Sequence, residues 1–150
     1  VHGIYTGKIT NWNQIGGPDL KIVPISRDTS SGTYEVFHTI CIEKDKMFEA
    51  VEYANSNPQV FTRVKDTPGA IGYVGLGFVN PQVKSLQLNG ITPSRASVAS
   101  GRYPLARPLF LFTNGYPELG TPLHAFCNFY LSEEGQEIIE AKGFVPLTGY

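Results

Sequence analysis

Ser26-Arg27-Asp28-Thr29-Ser30-Ser31-Gly32-Thr33 is a polar run set between a β-branched stretch, Lys21-Ile22-Val23-Pro24-Ile25, and a stretch where Val36, Phe37, Ile40 and Cys41 recur at helical spacing. The run therefore joins a strand to a helix N-terminus. The first amides of a helix have no partner inside it and carry partial positive charge, so an oxyanion placed there meets donors already aimed at it. Ser31 and Thr33 add hydroxyl donors, and Gly32, lacking a Cβ, lets a ligand approach the main chain closely. Arg27 adds a permanent planar charge able to pair two N–H groups with two ligand oxygens. Asp28 or Thr29 is placed to hold that guanidinium from behind. The plainer reading of Ser31-Gly32-Thr33 is a helix cap and turn. The arginine four positions upstream of Ser31 is what a simple cap leaves unexplained.

Other elements must position these groups. Residues 46–53 carry a weaker helical pattern, and 58–65 read as a helix with Pro58 near its first turn. Residues 70–74, 83–88 and 109–112 read as strands, the last almost continuously apolar, as a buried strand is. Leu123, Phe126, Cys127, Tyr130 and Leu131 repeat the helical spacing, Ile138 and Ile139 continue it after a break at Ser132, and Gly143 is placed to end that helix. Alternating elements predict an α/β sheet with helices on its faces. A chain of 150 residues with 41% hydrophobic content has the size of one compact domain. No apolar run approaches the length needed to cross a bilayer, and no stretch has the form of a signal peptide. The glycines between Gly69 and Gly77 do not follow the dinucleotide-binding spacing and suit tight packing and turns.

The polar run resembles the phosphate-binding loop of the phosphate-binding proteins that serve ABC phosphate transporters, in the periplasmic-binding-protein superfamily of two-lobed receptors. Three further stretches resemble family segments in the same order: Thr6-Gly7-Lys8-Ile9-Thr10-Asn11-Trp12-Asn13, then Thr67-Pro68-Gly69-Ala70-Ile71-Gly72-Tyr73, then Leu131-Ser132-Glu133-Glu134-Gly135-Gln136 with Gly143-Phe144-Val145-Pro146-Leu147. The resemblance implies one lobe of a type II periplasmic-binding-protein fold, a central mixed sheet flanked by helices. It implies that Arg27, Ser31, Gly32 and Thr33 contact inorganic phosphate, with no catalytic residue, metal or cofactor. Some family members place an acidic residue two positions after the arginine to orient it, whereas this chain has Thr29 there and Asp28 one step earlier. The match runs from the family's middle to its C-terminal end. The expectation is thus residues 1–150 as a single solute-binding lobe, lacking an N-terminal lobe and an export signal, with 103–112 resembling the hinge crossover between lobes and 119–150 forming C-terminal helices. The apolar faces of 119–150 would then cover this lobe, exchange between chains or stay partly exposed. Extracytoplasmic placement and recognition by ABC permease subunits follow from the same resemblance.

Charge and cysteines bound the partners. Twelve basic and thirteen acidic residues leave almost no net charge, and no basic cluster is interleaved with aromatics, which argues against nucleic acid. Cys41 and Cys127 can pair in an oxidising compartment, but each falls on an apolar helical face where a free thiol packs as a small hydrophobe. His2, His38 and His124 show no metal-ligand spacing. An enzyme using Ser31 or Thr33 as nucleophile would need a base in reach, and His38 lies just over a turn beyond Thr33, on the helix body. The alternatives to a phosphate receptor are a receptor for another oxyanion (tungstate, molybdate or sulfate) and a receptor-like sensing or adhesion module. Separating phosphate from sulfate takes a buried carboxylate that accepts the phosphate's proton, and the family places that acceptor on the other lobe.

Overall fold

The computed structural model describes residues 1–147. The chain divides into two compact units, Val1–Leu86 and Gln87–Tyr150. The first holds α1 (His2–Tyr5), β1 (Val23–Arg27), α2 (Gly32–Ile40), β2 (Glu52–Ala54), α3 (Asn57–Asp66) and β3 (Ala70–Gly72). The second holds α4 (Arg95–Ala99), α5 (Pro122–Phe129) and α6 (Glu133–Ala141).

In the first unit the strands pair in the order β2-β1-β3. Both pairings are parallel, with Arg27 opposite Ala54 and Pro24 opposite Ile71. The expected mixed sheet is thus corrected to a parallel one among the described residues. The helical connections explain this, because each strand reaches the next by a crossover rather than a tight hairpin. Pro24 sits in the central strand and is buried. Its missing N–H costs no ladder bond, because pairing to β2 begins one residue later, at Ile25.

Strand alternation gives the two faces of β1 different partners. Val23 and Ile25 pack with Val60 and Val64 of α3. Gly72 lets α3 lie close to the sheet, since a Cβ there would fall 2.7 Å from Val60 and 2.9 Å from Val64. On the other face Ser26 is fully buried, and its hydroxyl lies 2.7 Å from the Tyr73 hydroxyl. Tyr73 stacks on Phe37 of α2 at 3.8 Å between centroids, and Phe37 meets Tyr5 edge-on at 4.8 Å. The buried Tyr5 hydroxyl donates to the Ile25 carbonyl at 3.0 Å. Burial, with a smaller push from Tyr73 and Cys41, raises the Tyr5 pKa well above its ordinary value, so it stays a donor. Trp12 donates through Nε1 to the Gly69 carbonyl at 3.0 Å, tying the Asn11–Ile15 turn to the start of β3.

Local signals set most helix ends. Ser31, Ser56, Ser94, Thr121 and Ser132 each cap a helix through a side-chain oxygen. Gly143 (φ 82°) closes α6, its amide bonding Glu140 O and that of Phe144 bonding Ile139 O, the Schellman pattern. The helix expected over 58–65 and the strand expected over 70–74 are present, as α3 and β3.

Three expected elements are absent. Residues 46–51 are not helical: the Phe48 amide bonds the Tyr5 carbonyl at 2.8 Å, and β2 starts at Glu52. Residues 83–88 form no strand, and only Leu88 bridges to Ile91 across Asn89-Gly90, both at positive φ as a two-residue hairpin turn requires. Residues 109–112 are irregular, and Leu109, Phe110, Leu111 and Phe112 are 64, 71, 49 and 88% exposed. Their unit contains no described strand for them to pair with. On α5 and just beyond, Leu123, Phe126, Tyr130 and Leu131 are also exposed in the single chain. Gln136 is a buried polar anchor of this unit, its amide nitrogen on Tyr130 O and its amide oxygen accepting from Leu147 N at 2.7 Å. Residues 148–150, the end of the expected helical segment 119–150, lie outside the described residues.

Two substitutions test this packing. Gly72→Ala should lower unfolding free energy by about 1–3 kcal/mol through overpacking against α3, read by urea denaturation. Tyr73→Phe should cost a similar ~1–3 kcal/mol, because Ser26 and the Arg27 amide lose their common buried partner. An unchanged midpoint in either variant would contradict the packing described.

Candidate functional site

Arg27 ends β1 and Ser31 caps α2, so the loop between them is only Asp28-Thr29-Ser30. The Ser31 amide donates to Asp28 O at 3.1 Å, closing the loop as a turn. The Asp28 amide donates to Ala54 O at 3.1 Å, continuing the β1–β2 pairing by one residue. Asp28 Oδ1 accepts from the Ser30 amide at 3.1 Å and from the Ser30 hydroxyl. The Ser30 hydroxyl is the main cause holding the Asp28 carboxyl below its usual range, aided by the Ser30 amide and Arg27 and opposed by partial desolvation. Asp28 is therefore an ionised turn residue.

Ser31 Oγ accepts from the Thr33 amide at 3.2 Å and the Tyr34 amide at 3.4 Å. This is the capping arrangement, and the hydroxyl keeps its own proton for donation outward. Gly32 leads the helix, where amides have no intrahelical acceptor. Ser31, Gly32 and Thr33 are half-buried, whereas Thr29 and Ser30 are exposed. An open hollow of about 430 Å³ borders Thr29, Ser30, Ser31 and Gly32 and extends toward His38 and Lys44, so the helix N-terminus is accessible. Arg27 is not part of its wall.

The Arg27 side chain is 12% exposed. Nη1 donates to Asn57 Oδ1 at 3.1 Å, and Nη2 donates to Asn55 O at 3.2 Å. Asp28 Oδ2 stands 3.6 Å from Nη2, a looser ion pair. Thr29 makes no hydrogen bond to the guanidinium among the described residues. Nε is buried and has no acceptor among the described residues. The Arg27 amide donates to the Tyr73 hydroxyl at 3.1 Å, which fixes the strand end.

Asn55 and Asn57 were not anticipated from sequence. The signal that points to them is topological: in a parallel sheet the residues after one strand lie beside those after its neighbour, and Ala54 faces Arg27. Both cysteines are unbonded thiols. His38 stacks on Tyr34 at 5.2 Å, its Nε2 lies 3.1 Å from Asp45 O, and it makes no hydrogen bond to Ser31 or Thr33. Among the described residues no His/Cys/Asp/Glu group is arranged to hold a metal, and no helix is long and apolar enough to cross a membrane.

The chain is similar to known proteins over most of its length. A family model described as a PBP superfamily domain matches residues 1–134. The phosphate-binding protein PstS of Borreliella burgdorferi is 34% identical across 96% of this chain and 55% of its own length. PstS of Bacillus subtilis is 34% identical across 97% of this chain and 48% of its own. A Clostridium perfringens protein, provisionally assigned as a phosphate ABC transporter substrate-binding protein and solved with bound phosphate, superposes with a TM-score of 0.83 at 30% identity, over 98% of this chain and 60% of that one. The chain spans about half the length of the curated relatives it matches. With most of its residues matched by the family model and its fold shared with a solved relative, the chain belongs to the PBP superfamily of solute-binding proteins.

Proposed function

We propose that this chain is part of the extracytoplasmic solute receptor of an ABC phosphate importer, and that inorganic phosphate binds at the β1–α2 turn. Arg27 supplies the charge, Ser31 and Thr33 supply hydroxyls, and Gly32 with the following amides supplies the helix N-terminus. The observation that carries this reading is Arg27, a guanidinium held at the strand end with a buried Nε donor unpaired. A buried donor without an acceptor costs about 1–3 kcal/mol, and an oxyanion is an acceptor that would satisfy it and also pair with the guanidinium charge. The names of the relatives support phosphate as the anion. In this reading residues 1–150 form one ligand-binding lobe, 103–112 cross between lobes, and a second lobe closes over the ligand before a permease takes the complex.

Binding rather than catalysis fits the side chains. Ser31 Oγ serves as a cap, and His38 is engaged by Tyr34 and the Asp45 carbonyl rather than by either hydroxyl.

Calorimetric titration of the full-length protein with phosphate, sulfate, molybdate and tungstate tests the proposal. Phosphate should bind tightly and the others weakly. Preference for another of these anions would keep the site and change the cargo, and binding of none would refute it. Arg27→Ala should weaken phosphate about 100-fold or more, since two charge-assisted hydrogen bonds contribute roughly 1.5–3 kcal/mol each. Thr33→Val should weaken phosphate severalfold with an unchanged thermal midpoint, because the Thr33 hydroxyl is not part of the helix cap. A Thr33→Val protein with wild-type affinity would remove that residue from the site.

A further inference from the structure

The partners that hold Arg27 differ in kind from a carboxylate. Asn57 Oδ1 accepts from Arg27 Nη1 at 3.1 Å and from the Gly75 amide at 3.4 Å, so one amide oxygen joins the end of β1, the start of α3 and the segment after β3. Asn55 O completes the clamp on Nη2. Both oxygens are neutral. Among the described residues the one carboxylate paired with the guanidinium, Asp28, stands at 3.6 Å with its other oxygen committed to Ser30.

We propose that Asn57 is the positioning residue of the anion site, fixing the orientation of Arg27 through a neutral acceptor so that no carboxylate beyond the loose Asp28 contact offsets the guanidinium charge needed by the ligand. This rests on the reading of Arg27 as an anion ligand. The physical argument is a comparison of two ways to hold an arginine. A carboxylate in bidentate contact orients the fork firmly and also cancels its charge, which weakens the pull on a second anion. An amide oxygen orients the same fork and cancels none of it. Asn57 is moreover fixed independently of Arg27, since it is the first residue of α3, capped by Ser56, and is bonded to the Gly75 amide. Its oxygen is thus preorganised before any ligand arrives, and the arginine is the group that conforms to it.

The substitution Asn57→Asp separates this role from a structural one. An aspartate keeps an oxygen in the same place, gains an ion pair with Arg27 and adds negative charge in the first turn of α3, where the helix N-terminus favours it. The folded state should be unchanged or more stable by thermal denaturation. Phosphate affinity of the full-length protein should nevertheless fall about 10-fold or more by calorimetry. Asn57→Ala should lower both the thermal midpoint and the affinity, the latter about 10-fold. A purely structural Asn57 would make affinity follow stability, so an Asn57→Asp protein that binds phosphate as tightly as wild type overturns the proposal. Arg27→Ala is measured alongside. If it abolishes binding while Asn57→Asp does not weaken it, neutral positioning fails and the site stands. If Arg27→Ala binds phosphate like wild type, the site reading fails and the positioning role with it.

Discussion

Parallel pairing of β1 with both of its neighbours sends the C-terminal ends of all three strands to the same edge of the sheet. The partners of Arg27 follow from that constraint. Arg27 ends β1, Asn55 and Asn57 follow β2, and Tyr73 and Gly75 follow β3, so residues far apart in the chain become hydrogen-bond partners. Antiparallel pairing would have put the end of one strand beside the start of the next. The arginine would then have faced different backbone altogether.

The edge is fixed by polar groups that are buried and paired. Ser26 and Tyr73 share a hydrogen bond beneath the site, and Tyr73 also accepts from the Arg27 amide, so the strand end rests on an aromatic stack running through Phe37 to Tyr5. Buried polar groups satisfied in this way favour one arrangement, because any other leaves donors unpaired at about 1–3 kcal/mol each. Against that background the unpaired Arg27 Nε is the exception among the described residues, and it lies where the sequence places its ligand chemistry. The loop above it is held separately, by Asp28 on Ser30 and by Ser31 on the first amides of α2.

The second unit shows the same local discipline with a different outcome. Its helices are capped by Ser94, Thr121 and Ser132 and closed at Gly143, and Gln136 is buried with both ends of its amide engaged. Its apolar residues at 109–112 and along α5 are nonetheless largely exposed. Helix formation there is settled by caps and spacing within a few residues, whereas covering the apolar face needs a separate surface.

The sequence by itself determined the features whose causes lie within about one helical turn. The strand–loop–helix order around Arg27, the Ser31 cap, the Pro58 helix start, the break at Ser132 and the Gly143 stop all depend on backbone preferences and hydrogen bonds within a few residues. Only the tertiary structure decided which strands pair and in which sense, that residues 46–51 are not a helix and hold the Phe48 amide against the Tyr5 carbonyl, and that 109–112 is not a strand. The arginine's partner belongs to this second group. Sequence offered Asp28 and Thr29 because they are adjacent, yet the shortest contact comes from Asn57, thirty residues away. A hydrogen bond across that separation exists only once two parallel strands have brought their ends together.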